Sequence, residues 1–492
     1  MKSIPFNRFI RMFACLLLAG AATFEFLTVA HAQFVFTNTT PPAMPRRPNI
    51  ILIVADGLGY GDLTCYGQKK IETPNLDRLA AGGIRFTSYY AGDAASSPSR
   101  AALMLGRDSG HLKQRADVEV PLAATDITVA RALQQSGYHT GLIGEWNLGG
   151  DGTSGAPWLK GFDEVAGYFD SQDAENGYAD YIFRYAPKSI LNETNNQMED
   201  FIGRETLYPN TGGNHGQYIP DLLTKAALNF VQNNQPDKFN QYRPFFLLLN
   251  YTIPGAGNGP VPTDAPYSEE PWPQPEKNKA AMMARLDGYL GQLLEQMQKP
   301  GMTNNTVIFF TSDTGPQMNG SAGPKFFQSA GPFRGSRGNL YEGGLRVPMI
   351  AHWPGKIPAG QVSDFPCAAW DFLPTATDIA LIQSPTNIDG ISVLPVLTGK
   401  PQSQPHRILF RWELRGRDLA QAARMGDWKI VRSKAGEKWE LYQLKTDPGE
   451  TRNVADKYPE VIAAFEESLK NFDNPKFRRP IWPAQNSTNH NL

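Results

Sequence analysis

Blocks of apolar residues alternate with amphipathic ones along most of this chain, and the two kinds predict different elements. The run NIILIVAD, residues 49–56, is almost wholly apolar, the pattern of a strand buried on both faces. TPNLDRLAAGG follows as a helix, with Thr73 as N-cap, Pro74 at the first helical position and Gly82 or Gly83 as the stop. IRFTSYYA predicts another strand, TDITVARALQQSG a capped helix and HTGLIG a strand. The series continues with DLLTKAALNFVQNN as a helix and PFFLLLNY as a strand. KNKAAMMARLDGYLGQLLEQMQ is a long amphipathic helix, and TVIFFTSD and VPMIAHW are strands. Strands alternating with helices predict an α/β domain, a large mixed, mostly parallel sheet sandwiched by helices.

The pattern changes near His406. RILFRW, ARMGDWKIVR and KWELYQL are short strands separated by turn signals, and PEVIAAFEESLKNF puts Val461, Phe465, Leu469 and Phe472 on one helical stripe. This predicts a small C-terminal α+β unit with an antiparallel sheet. The expected layout is a signal peptide at 1–32, a leader at 33–48, the α/β domain at 49–400, the C-terminal unit at 401–475 and a tail at 476–492. The signal rests on Lys2, Arg8 and Arg11 ahead of a short apolar stretch, with AHA before Gln33. It predicts a secreted or periplasmic protein cut near Ala32, and no later segment reads as a membrane span.

Composition adds limits rather than a function. The 492 residues are 41% hydrophobic, enough for a large core, and the formal net charge of -1 gives no global field to recruit nucleic acid. Cys15 leaves with the signal. Cys65 and Cys367 offer no metal spacing and read as buried and reduced, with a single bridge left open. Asn-x-Ser/Thr triplets begin at Asn38, Asn192, Asn250, Asn304, Asn319 and Asn486.

Asp56 ends the first strand, Ser96 follows another, and Asp313 ends a third. Open α/β sheets bind ligands beyond the carboxyl ends of their strands, so these three converge on one crevice. Each alone would read as a cap or turn residue. Together with ADGLGYGDLTCYG, SSPSRAALMLGR, TGLIGEWNLG, FFTSDTGP, YEGGLRVPMIAHWPGKIPAG, DGISVLPVLTGK and RMGDWKIVR, in that order, they make the chain resemble the type I, arylsulfatase-like sulfatases of the alkaline phosphatase superfamily. The resemblance runs from about residue 49 to about 472. It implies that Ser96, in Ser96-Ser97-Pro98-Ser99-Arg100, is the position matured to formylglycine by a dedicated enzyme of the host. It also implies a divalent cation, usually Ca²⁺, on Asp56, Asp313 and Thr314. Arg100, Arg337, Glu145 and Asn147 fall at positions that hold or surround the sulfate, and the implied substrate is a sulfated polysaccharide or an aryl sulfate. Such an ester needs a strong nucleophile, a cation and an acid for its leaving oxygen.

The chain departs from the family pattern at chemical positions. Asp56-Gly57 stands for two aspartates, Asp313-Thr314 for Asp-Asn, Glu145 for Lys, Asn147 for His, Pro254-Gly255 for Pro-His, and Arg337 for Lys; Glu175 lies near another family His. A like-charge contact at about 4 Å costs roughly 4 kcal/mol at an effective dielectric of 20, so Glu145 works against an anionic ligand. Three readings stay open. The first is an active serine-type sulfatase. The second is a pseudosulfatase that binds glycans. The third is a hydrolase with altered chemistry on Asp56, Asp313, Glu145 and Glu175, suited to a phosphoester or a cationic ligand. Substrate choice is expected in variable loops at 150–213 and 255–273, with Trp158, Tyr178 and Trp272 as candidate sugar-stacking rings.

Overall fold

The computed structural model describes residues 46–170, 177–192, 197–236, 243–255, 259–299, 301–317, 324–402 and 409–472. The segments expected to be a signal peptide, most of a leader (to residue 45) and a tail lie outside the described residues, as does Glu175. The strands are β1 Asn49–Asp56, β2 Ile84–Phe86, β3 Tyr89–Tyr90, β4 His139–Glu145, β5 Glu164–Tyr168, β6 Tyr181–Asn192, β7 Gln197–Thr206 and β8 Phe245–Pro254. They continue as β9 Thr306–Ser312, β10 Met349–His352, β11 Gln361–Ser363, β12 Cys367–Ala368, β13 Leu409–Arg415, β14 Leu419–Met425, β15 Trp428–Arg432 and β16 Glu440–Gln443.

Ten of them form one sheet in the order β11-β2-β10-β9-β1-β8-β4-β5-β6-β7. Its centre, β9-β1-β8-β4-β5, is parallel throughout, and β10, β6 and β7 attach antiparallel. β1 shows why the run of apolar residues is unbroken. Ile50, Leu52 and Val54 pack into one core cluster and Ile51, Ile53 and Ala55 into another, because alternate side chains leave opposite faces of a strand. The first cluster lies under α2 Ser96–Leu105 and α3 Val129–Gln135, and the second under α1 Pro74–Ala81, α4 Ile219–Asn233 and α5 Gln274–Gln296.

β13 to β16 make a four-stranded antiparallel sheet, and α6 Pro459–Asn471 packs Phe465 against it with Val461, Leu469 and Phe472 alongside. The fold class is therefore the one the periodicity predicts. Among the described residues no helix is long and apolar enough to cross a membrane.

Several local expectations change. IRFTSYYA is two strands in two sheets: β2 pairs with β10 and β11, whereas β3 pairs with β12. Thr73 precedes α1 but does not cap it with its side chain; its hydroxyl accepts from Thr64 N at 3.0 Å. Asp287 of α5 caps instead, accepting from Asn75 N and Leu76 N at 3.1 and 2.8 Å. The 150–213 stretch is not all loop, since β5 and the β6–β7 hairpin extend the main sheet. Pro187 hides the hairpin in the sequence, and a register shift between Ala186 and Ile190 accommodates it. Cys367 is buried but Cys65 only partly so, and both are free thiols.

Candidate active site

β9, β1, β8 and β4 lie side by side and point the same way, so their carboxyl ends form one row about 4.8 Å apart per strand. Asp313 follows β9, Asp56 ends β1, Asn250 and Pro254 lie in β8, and Glu145 ends β4. A register shift sets Asp56 opposite Pro254 although Ala55 lies opposite Tyr251. This irregularity re-aims the carboxylate as bulges do. α2 enters from the side with Ser96 at its first residue, and all ten of its residues are buried.

Ser96 Oγ donates to Asp56 Oδ1 at 3.2 Å. One turn on, Ser99 Oγ donates to the Asp313 carbonyl at 2.5 Å and accepts from Gly92 N, which moors the helix start to β9. Arg100 reaches furthest. Its Nη2 lies 2.8 Å from Glu145 Oε2 and 3.1 Å from Asp313 Oδ2, and its Nε donates to the same Asp313 oxygen at 3.2 Å. Arg337 closes the row from the loop after residue 335, with Nη1 3.2 Å from Asp56 Oδ1. Asp313 Oδ1 accepts from Gly57 N at 3.0 Å and from Thr314 Oγ1 at 3.4 Å.

The other expected residues sit at the edges. Thr314 is fully buried, so its hydroxyl faces its own neighbour rather than solvent. Asn147 has φ +56, donates its N–H to Phe169 O and accepts from Ser97 Oγ through its carbonyl. Asn250, read above only as a glycosylation triplet, is 3% exposed and donates to the Glu145 carbonyl at 2.8 Å, which rules it out as a glycan acceptor. A polar residue breaking the apolar run of PFFLLLNY was the available signal for it. The candidate sugar-stacking rings pack on neighbours: Trp158 on Phe183, Tyr178 on His215, and Trp272 on Tyr267.

Three carboxylates and two guanidiniums share this buried space. Burial pushes Asp56 up to about 7, with Arg337 opposing the shift and Asp313 and Glu145 reinforcing it. Burial would raise Asp313 too, but Arg100 and then Arg337 outweigh it and hold Asp313 below its ordinary value. Burial disfavours the charge on Arg100, yet Glu145, Asp313 and Asp56 keep it firmly protonated. Within this row the buried donor Arg100 Nη1 and the buried acceptor Asn250 Oδ1 have no hydrogen-bond partner among the described residues.

The donor set does not fit the calcium shell that the resemblance implies. Ca²⁺ takes about six to eight oxygens, several of them charged. Here Asp56 and Asp313 already accept from guanidiniums and backbone or hydroxyl donors. Gly57 brings no side chain, and a Cβ at Gly255 would lie 1.7 Å from Asp56 Oδ2, so a side chain there requires Asp56 to move. Among the described residues, the three-residue His/Asp group with ligand atoms within 4.8 Å of one another is Asp108, His111 and Asp389, which lies beyond the other end of α2. There Asp108 Oδ1 is already taken by Arg411 and Gly110 N.

The sulfatase family model matches residues 48–382, and a model described as N-sulphoglucosamine sulphohydrolase, C-terminal, matches 336–474. The chain belongs to the sulfatase family. Its resemblance to type I sulfatases of the alkaline phosphatase superfamily extends over nearly the whole length. Human arylsulfatase A is 32% identical over 464 residues, covering 86% of this chain and 87% of the relative. N-acetylgalactosamine-6-sulfatase of Sus scrofa is 30% identical, covering 84% and 76%. The solved structure of Ps i-CgsB in complex with k-i-k-neocarrahexaose superposes with a TM-score of 0.70 at 28% identity, covering 89% of this chain and 95% of the other.

Proposed function

We propose that this sulfatase-family protein is exported and binds a sulfated polysaccharide or an aryl sulfate in the crevice at the strand ends without hydrolysing it. One observation carries the reading. The crevice's cations are already spent on its own carboxylates, Arg100 on Glu145 and Asp313 and Arg337 on Asp56, all at 3.2 Å or less. A sulfate monoester entering there meets three acidic groups and two paired guanidiniums. Neither guanidinium can protonate a leaving alkoxide at ordinary pH. The free donor Arg100 Nη1 remains available to an acceptor on a bound ligand or to water. The names of the relatives supply the ligand class, and the basic start, apolar stretch and AHA of residues 1–32 supply the export.

The test is sulfate release from a chromogenic aryl sulfate and from sulfated oligosaccharides, using protein made in its native host, beside binding measured calorimetrically. The expected result is binding without release above a Ser96→Ala control. Release above that control rejects the reading.

A second reading, active hydrolysis through a matured Ser96, is favoured by one placement. Ser96 opens a buried helix, its Oγ faces Asp56, and Arg100 follows one turn later. The helix N-terminus carries a partial positive charge that suits a developing anion. It requires Ser96 to lack two hydrogens in the mass of the corresponding peptide. An intact serine from the native host rejects it.

A further inference from the structure

We infer that the guanidinium of Arg337 takes the place of the divalent cation in this crevice, so that the folded protein neutralises its strand-end carboxylates with a residue of its own and takes up no metal ion there. The inference rests on reading the crevice as the metal-bearing end of the family fold, and it stands whether or not the protein turns over a sulfate ester.

Four observations converge on it. Arg337 Nη1 lies 3.2 Å from Asp56 Oδ1 and 3.5 Å from Oδ2, so one cationic nitrogen faces both oxygens of that carboxylate. The same nitrogen lies 3.7 Å from where a Cβ at Gly57 would stand. The space a second aspartate would enter is therefore faced by the guanidinium. Asp313, the other expected ligand, spends Oδ2 on Arg100 and Oδ1 on Gly57 N and Thr314 Oγ1. Finally, Arg337 is held by its backbone. Its N–H donates to Pro316 O at 3.0 Å, and Gly338 N donates to Ala94 O at 2.8 Å, two residues before Ser96. The cation is thus tied to the segment after β9 and to the segment that delivers Ser96.

The chemistry is consistent. A metal ion at this place would sit against a fixed positive charge and lack the second carboxylate. A guanidinium bound to a carboxylate needs neither, and it remains charged at any working pH. Arg337 exchanges an ion that can be chelated for one that cannot.

The experiment uses the full chain. Metal content is measured after dialysis against micromolar Ca²⁺, and melting temperature is measured in chelator and in millimolar Ca²⁺, for wild type, Asp56→Asn and the double variant Gly57→Asp/Arg337→Ala. Wild type is expected to melt within about 1 °C in the two buffers. An ion that survives Asp56→Asn lies elsewhere and leaves the crevice metal-free as inferred. The double variant restores the second carboxylate and removes the internal cation. The space at Gly57 admits a Cβ at ordinary contact distances, and its φ of +59 strains an Asp less than most side chains. Its melting temperature is expected to rise by several degrees with Ca²⁺, as ligand linkage requires. Close to one equivalent of Ca²⁺ in wild type, lost in Asp56→Asn, or a chelator-induced fall in wild-type melting temperature that Asp56→Asn lacks, overturns the inference. These wild-type measurements hold even if the double variant fails to fold. Sulfate release by wild type in chelator would instead sink the non-hydrolytic reading while leaving the role of Arg337 intact.

Discussion

Two buried ion networks of similar composition lie in this molecule, and they do different work. Around Lys429, Glu342 Oε1 and Glu450 Oε1 lie 2.9 and 3.0 Å from the ammonium, and none of these three side chains is exposed. Arg346 and the Tyr90 hydroxyl complete Glu342, and Glu342 N donates to Glu450 Oε2. This network fastens the turn at Glu342–Leu345 to β15 of the small sheet, with Lys429 and both glutamates fully buried. The crevice network also pairs carboxylates with cations, but it lies at open strand ends. The Arg337 side chain is 23% exposed, and Arg100 Nη1 and Asn250 Oδ1 stay unpaired. The Lys429 network also holds an oxygen without a hydrogen bond, Glu450 Oε1, but it lies 3.0 Å from the ammonium and has no exposed surface, so that network is a fastening. One with an exposed cation has capacity left for a ligand.

The comparison is tested most severely by Lys429→Met. Removing the shared ammonium strands two carboxylates in the interior and should cost about 3–5 kcal/mol in denaturant unfolding. A loss near zero would mean that the network is not a fastening.

The pH dependence is the next effect. Burial first, and then Glu342, push Glu450 up to about 7 against the pull of Lys429, whereas Lys429, Arg346 and Arg424 overcome burial to hold Glu342 down to about 2. The native state keeps the Glu450 proton across a window, from about 4.5 to 7, in which the unfolded chain has released it. The unfolded state binds fewer protons there, so this contribution to stability is full below about 4.5 and declines as pH rises to 7. Asp56 and Asp93, each pushed up to about 7 chiefly by burial, add slopes of the same sign. Glu450→Gln should therefore flatten the fall in melting temperature between pH 5 and 7 without abolishing it. An unchanged slope would remove Glu450 from this role.

Smaller again is Arg337→Gln. Asp56 loses its partner, but it keeps the Ser96 hydroxyl and burial readies it to take up a proton, which limits the cost to about 1 kcal/mol in the same unfolding assay. A loss as large as that of Lys429→Met would erase the distinction between the two networks. The baseline is Arg184–Glu205 on the β6–β7 hairpin, with both side chains about half exposed. Arg184→Ala there should change stability by less than about 0.5 kcal/mol.

Much of the candidate site was legible because its residues close strands or open a helix. Asp56, Glu145 and Asp313 each follow an apolar run, and Ser96 and Arg100 sit in a motif that announces the start of α2. Asn250 was passed over because a glycosylation triplet offered a local explanation for a polar residue whose real partner, the Glu145 carbonyl, is 105 positions away. Thr73 misled for the same kind of reason. Its type and place fit an N-cap, yet Asp287 arrives from α5 and takes those amides.

The sequence by itself determined which segments are strands and helices, which faces are apolar, and which acidic and basic residues arrive at the strand ends. These follow from periodicity and capping, which act over a few neighbouring residues. The tertiary structure alone decided that Arg100 turns to Glu145 and Asp313, that Arg337 settles on Asp56, and that Gly255 closes against the same carboxylate. Those choices depend on the order β9-β1-β8-β4 in the sheet, which brings groups some 40 to 280 residues apart to within 4 Å. Charge–charge energies are set by that through-space distance and by the exclusion of water, and neither is written in the local pattern of the chain.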